Sequence, residues 1–340
     1  MPNRTRLLRL SAAVALAAAL LYSALWYWEA SVAEDRIARV IEHGKTSGFV
    51  IASGATALGG YPFRIEVRMT DVTLGGLPRL PDVTAAAPSV TFRFHPLSPA
   101  DWSVRMPDGI TVKLPTSAGP LHVAAHESAL DLGLLATSGD RFAVRAGDVT
   151  LGNSAGAIHL ESIDLRSELP PPSAEAANRQ LGFSVLLSGL TLPRKLGPLG
   201  AVIDEIAFDG SIQGDLPSER LGDALAAWRD GGGTVELRDA HIVWGRLKLD
   251  AEGTVSLDRD MQPEAAFSAE VHNLAALFDA MVADGSMKPG DAEFAKLGLA
   301  LIGGGSVDGD TALKTPITVQ GSQLYVEKKR VAHVPHIEWP

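Results

Sequence analysis

The sequence contains no cysteine. Disulfide scaffolds, thiolate zinc sites, iron–sulfur clusters and cysteine nucleophiles are excluded together. Aromatic residues are scarce, at 6%, which leaves little surface for stacking bases or sugars. Basic residues are also short: 30 Lys and Arg stand against 40 Asp and Glu, for a formal charge of -10. Arg4, Arg6 and Arg9 are the only charged side chains before Glu29, so residues 29–340 carry -13 without them. Affinity for nucleic acid comes largely from phosphate neutralisation, so this composition excludes a nucleic-acid partner. Hydrophobic residues make up 46% and charged residues 21%, which excludes a disordered chain. With 340 residues there is length for one large or two ordinary domains.

Leu10 to Trp28 is free of charge. Nineteen helical residues at about 1.5 Å each reach roughly 28 Å, close to a hydrocarbon core. Basic residues precede the run and Glu29, Glu34 and Asp35 follow it. The positive-inside bias then predicts a single-pass anchor over 10–28, with residues 1–9 a cytoplasmic stub and the body beyond the membrane. Leu10 opens the anchor, and Trp26, Tyr27 and Trp28 suit its far interface. A cleaved signal peptide is the alternative, with Ser31-Val32-Ala33 as the processing site. Val32, Ile37, Val40 and Ile41 continue near helical spacing, predicting a helix over 29–48 that ends at Gly44 or Gly48. That helix is either a stalk or a cap on the domain edge.

From Phe49 the dominant period is two. Tyr61, Phe63, Ile65, Val67 and Met69 alternate with polar residues, and at Asp71 the apolar set shifts to Val72 and Leu74, predicting a bulge or a break near Thr70-Asp71. Alternation recurs through Trp102-Val104-Met106, Leu130-Leu132-Leu134 and Phe183-Val185-Leu187 to Leu324-Val326, with glycine-rich turns between runs. Short strands joined by tight turns predict antiparallel hairpins. Helical patterns recur at Ser218–Arg229, Asn273–Ala283 and Pro289–Ile302. The reading is a mainly β chain: extended, curved antiparallel sheet with a few late helices after one transmembrane helix. The body divides into an all-β region, 49–215, and a β-rich region with two or three helices, 216–340. The boundary falls near Pro170-Pro171-Pro172 or Leu216-Pro217.

Candidate chemistry is thin. Gly152-Asn153-Ser154-Ala155-Gly156 matches the nucleophile-elbow pattern, which needs a following helix; here strands flank it, so a hairpin tip is predicted. His122 and His126 have zinc-helix spacing, but the surrounding residues read as strand, where positions four apart lie about 13 Å from each other. His333 and His336 flank Pro335 and read as solvated tail residues. Asp308 and Asp310 lack the later ligands of a calcium loop. No catalytic constellation emerges, so the reading is a non-enzyme with no cofactor and no metal site.

Gly59-Gly60-Tyr61-Pro62-Phe63-Arg64 after a membrane anchor resembles the signature of an uncharacterised bacterial family, the domain-of-unknown-function family numbered 2125. Thr315-Pro316-Ile317-Thr318-Val319-Gln320-Gly321 and Leu324-Tyr325-Val326 fit the same family. The resemblance implies an exported, N-terminally anchored protein of the bacterial inner membrane with its body in the periplasm. The second half is similar in style to AsmA-like envelope proteins, which implies lipid handling.

Each strand has one apolar and one polar face, and the apolar side needs a cover: a second sheet, the helices or a bound apolar ligand. A groove open to acyl chains would be lined by Phe63, Ile65, Val67, Val104, Leu132, Val185 and Leu187. The alternatives are a closed core filled by its own side chains, and a structural or adaptor protein of the envelope that binds another protein through a sheet edge.

Overall fold

The structure is a computed structural model that describes residues 3–46, 48–76, 82–96, 98–116, 119–135, 139–153, 156–169, 180–195, 197–215, 221–303, 312–337 and 339. It opens with helix α1 (Asn3–Thr46), one uninterrupted element through both predicted N-terminal segments. Gly48, at φ 95, turns the chain out of the helix, and the Phe49 amide donates back to the Gly44 carbonyl at 2.9 Å.

The strands follow in chain order. They are β1 (Val50–Ala52), β2 (Thr56–Gly59), β3 (Ile65–Gly75), β4 (Thr84–His95), β5 (Ser98–Met106), β6 (Ile110–Leu114), β7 (Leu121–Ala125), β8 (Glu127–Leu135) and β9 (Gly139–Asn153). The series continues with β10 (Gly156–Glu168), β11 (Leu181–Thr191), β12 (Val202–Gln213), β13 (Thr234–Trp244), β14 (Leu247–Leu257), β15 (Pro263–His272), β16 (Leu313–Gln320), β17 (Gln323–Val326) and β18 (Lys329–His333). Three later helices are α2 (Leu221–Asp230), α3 (Leu274–Ala283) and α4 (Pro289–Gly303), close to the periodicity reading.

All 18 strands belong to one sheet, and every pairing is antiparallel. From β9 to β18 it is a plain meander. Toward the other edge, β4 divides its length between β5 and β6, and β9 divides its own between β8 and β7. The two proposed domain boundaries lie outside the described residues. The sheet runs through both, since β10 pairs with β11 and β12 with β13.

The predicted interruption near Thr70-Asp71 is not present as an inserted residue. Asp71 has φ 50, yet β3 is continuous and its pairing with β4 keeps one register, from Thr70 opposite Ser89 to Val72 opposite Ala87. The change of apolar phase is taken up by the left-handed backbone at Asp71, not by an extra residue. The strand predicted from Tyr61 begins only at Ile65. Residues 61–63 form a turn, because Gly60 and Pro62 break the ladder and the Arg64 amide donates to the Gly60 carbonyl at 3.0 Å. Gly60 has φ 93, and a Cβ there would sit 2.5 Å from the Arg64 carbonyl oxygen, so only glycine fits.

The best-sealed core lies beneath α1. Trp26, Ala30 and Ala33 pack on Ile65 and Phe94, while Ile37 packs on Val67 and Met69 with Ile41 and Val72 beside it. Helix positions 26 to 41 span about 22 Å and strand positions 65 to 72 about 23 Å, so helix and strand keep step with each other. This corrects the sequence reading at Trp26. Its ring is 4% exposed and its indole N–H donates to the Arg64 carbonyl at 3.0 Å, so it belongs to the body, and only Tyr27 and Trp28 face outward. The cap alternative for residues 29–48 therefore describes the helix better than a free stalk.

Candidate functional site

Opposite residues in an antiparallel pair share a face. Following the register from strand to strand assembles one row: Val67, Phe92, Val104, Leu130, Val144, Leu165, Val185, Phe208, Ala240, Ala251, Ala269 and Thr315. It crosses twelve strands and is apolar at every step but the last. Twelve strands at about 4.8 Å spacing make a band roughly 50 Å long. A parallel row one pleat away runs Ile65, Phe94, Trp102, Leu132, Phe142, Ser167, Phe183, Gly210, Leu237, Gly253, Phe267, Ile317 and Val326. A third, on the other side, includes Ile163, Leu187, Ile206, Ile242, Leu249, Val271 and Leu313.

The cover over these rows is uneven. Beneath α1, Ile65 and Val67 are 0% exposed. A second cluster, Ala125, Val149 and Leu160, is buried where β7, β9 and β10 meet. From β11 onward the large side chains of the rows, including Val185, Leu187, Phe208, Ile242 and Phe267, are only half-buried. Helix α2 closes strand ends rather than the face. Its Trp228 donates to the Gln213 carbonyl at 2.7 Å, and Arg229 donates to the Arg259 carbonyl at 3.1 Å. Helix α3 touches β14 and the turn at Gly197–Leu199, at the other end of the strands. Two polar atoms on this side, Trp244 Nε1 and Thr315 Oγ1, are buried with no hydrogen-bond partner.

A cleft of 590 Å³ opens where the second row nears α1. Its lining includes Phe94, Trp102, Leu132 and Phe142, with the Phe94 and Trp102 rings stacked at 4.6 Å. The lining also includes Arg64 and, from the alternate phase of the same strands, Arg93, Arg141 and Arg166 beside Asp101, Asp131 and Glu168. Arg64 and Arg93 share Glu66, at 2.6 and 2.7 Å. Arg166 is held by Asp164 through bonds of 3.0 and 2.9 Å, and that hydrogen bonding raises its pKa, so it stays cationic. Arg93, Arg141 and Arg166 occupy the polar phase of their strands and read in sequence as ordinary wet-face residues. Only register brings them together.

The predicted lining residues thus separate. Val104, Leu132, Val185 and Leu187 lie half-exposed on the apolar side. Ile65 and Val67 share its rows but are sealed by α1 and line no opening. Phe63 is in no strand; it projects from the 61–63 turn, 77% exposed. Of the anchor residues, Leu10 lies in α1 with its side chain outside the described residues. Among the described residues no helix is long and apolar enough to cross a membrane; the side chains of residues 1–13 and 15 are not among them.

His122 lies in β7 and His126 at the break before β8, so the pair shares no helical face. Ser154, Asp308 and Asp310 lie outside the described residues, and the strands on either side of Ser154 pair with each other as a hairpin.

No curated protein and no solved structure matches the chain. The likeness to AsmA-like envelope proteins gains nothing from these comparisons. A family model does match, over residues 26–335, beginning at the first helical residue buried against the sheet. Its description is "Uncharacterized protein conserved in bacteria", and the chain belongs to that family, DUF2125.

Proposed function

We propose that the protein is tethered to the bacterial inner membrane by the first part of α1, with its body in the periplasm, and that it holds or passes lipid acyl chains along the apolar face of its sheet. The observation that carries this reading is the set of in-register apolar rows whose large side chains stay half-exposed from β11 onward. Burying a Val, Leu, Ile or Phe is worth about 1.5–3 kcal/mol, so a long band left partly exposed is costly in water and favours an apolar companion. The band, roughly 50 Å long, exceeds the ~15 Å half-thickness of a hydrocarbon core and has room for several acyl segments. The 590 Å³ cleft supports entry beside the tether: apolar side chains and arginines both contribute to its lining, and the arginines suit an anionic headgroup.

The packing of α1 supports a retained tether. Cleavage after Ala33 would strip Trp26, Ala30 and Ala33 from Ile65 and Phe94 and bare that core.

Lipid extraction and native mass spectrometry of the purified full chain should find co-purifying phospholipid. Photoreactive residues in place of Val104, Leu132, Val185 or Leu187 should give lipid adducts, and one replacing Val67 should give none. Purified protein repeatedly free of lipid, with no adducts in cells, would sink the proposal. A second reading, an adaptor, is favoured by one feature: among the described residues β18 pairs with β17 alone, and it is exposed along its whole length. Crosslinks from Val331 to a single envelope protein, in place of lipid adducts, would favour it.

A further inference from the structure

We infer that the Tyr61–Phe63 turn is a second membrane contact, a wedge set into the lipid headgroup layer beside the helix. The inference rests on the tether proposed above. Four contacts fasten this turn to α1. The Tyr22 hydroxyl donates to the Pro62 carbonyl at 2.5 Å, Ser23 Oγ meets the Tyr61 hydroxyl at 2.8 Å, and the Tyr61 ring stacks on Tyr27 at 6.1 Å while meeting Trp26 edge-on at 5.3 Å. The turn is thus pinned to helix positions 22–27, inside the charge-free run that ends at Trp28.

That pinning sets its depth. Six residues separate Tyr22 from Trp28, about 9 Å along the helix axis. Helical side chains lean toward the N-terminus, so the Tyr22 hydroxyl lies no shallower than its own Cα. If 10–28 spans the bilayer, Pro62 cannot stand clear of the interface.

The surface chemistry agrees. Phe63 is 77% exposed, Tyr27 65%, Trp28 60% and Tyr61 51%, and no part of the described chain covers them. Leu20, Leu21 and Leu25, also exposed, continue the apolar surface down the helix. Rings with one polar end prefer the headgroup layer, and Arg64, next to the wedge, places a cation where phosphates lie. The sheet is thereby held against the bilayer at two points.

The absence of cysteine makes the test clean. Single-cysteine variants Leu16→Cys, Phe63→Cys and Val331→Cys of the full chain are labelled with an environment-sensitive fluorophore and reconstituted into phosphatidylethanolamine–phosphatidylglycerol vesicles. Some vesicles carry nitroxide-labelled lipid. The label at 63 should shift to the blue and lose most of its emission to headgroup-level nitroxides. The label at 16 should be quenched by acyl-chain nitroxides, and the label at 331 by neither. Quenching at 16 without quenching at 63 overturns the wedge and leaves the tether standing. Quenching at neither position overturns both. A blue shift at 63 without quenching means that protein covers the turn, and equal quenching at 331 means that the sheet meets lipid without a preferred point; either result also overturns the wedge.

Discussion

Val67 and Val185 are the same residue type, on the same face, in the same row of one sheet, six strands apart. Val67 is 0% exposed beneath Ile37 of α1, whereas Val185 is only half-buried. The strands that carry them have the same alternation, so strand chemistry does not explain the difference. Helix α1 seals the Val67 end, whereas α2 and α3 meet the far end at its strand ends and at β14 and leave the large side chains of its rows only half-buried.

Removing the cover should break this contrast most strongly. Trp26→Ala deletes the ring wedged between helix and sheet and should destabilise the full chain by about 3–5 kcal/mol. It should also make α1 protease-sensitive near Ala33. Unchanged thermal unfolding in detergent would mean that the helix is not held by this contact. The matched pair sharpens the contrast. Val67→Ala loses two buried methylene equivalents plus a cavity and should cost about 2 kcal/mol, while Val185→Ala, already half in water, should cost about 0.8 kcal/mol. Denaturant midpoints of the two variants should separate in that order without lipid, and equal values would mean that the far end is as well covered as the near one. Bound lipid should widen the cost of Val185→Ala, since anything that binds only the folded state adds to its stability.

Gly60→Ala forces a side chain into a left-handed position against the Arg64 carbonyl, and should cost about 1 kcal/mol or more. Its signature is loosening of the Tyr61–Trp26 contact, read as a change in tryptophan emission. The smallest effect is Tyr61→Phe, which removes only the hydroxyl contact with Ser23 and should cost about 0.5–1 kcal/mol in melting measurements, with α1 still docked.

Several of these elements are legible in the residues. Helices α3 and α4 show through periodicity and their bounding glycines and proline. The hairpin ending β16 shows in Gly321-Ser322, both at positive φ. Other features are not legible because they depend on which distant residues meet. Trp26-Tyr27-Trp28 reads as one interfacial cluster, yet the turn of the helix sends Trp26 inward and its neighbours outward. Tyr61 and Phe63 fit the strand alternation but lie before the strand begins. Arg93, Arg141 and Arg166 each look like an ordinary polar-face residue.

The sequence by itself determined that this chain is a run of amphipathic antiparallel strands behind an uncharged helical segment, because alternation and charge spacing act over a few neighbouring residues. Only the tertiary structure decided that the strands join into one sheet with aligned apolar rows, that α1 lies along β3, and that the far rows stay half-open. Register and cover are relations between residues far apart in the chain, such as Trp26 with Phe94 or Ala265 with Val319, and they are set by which faces find a partner once the whole chain has folded.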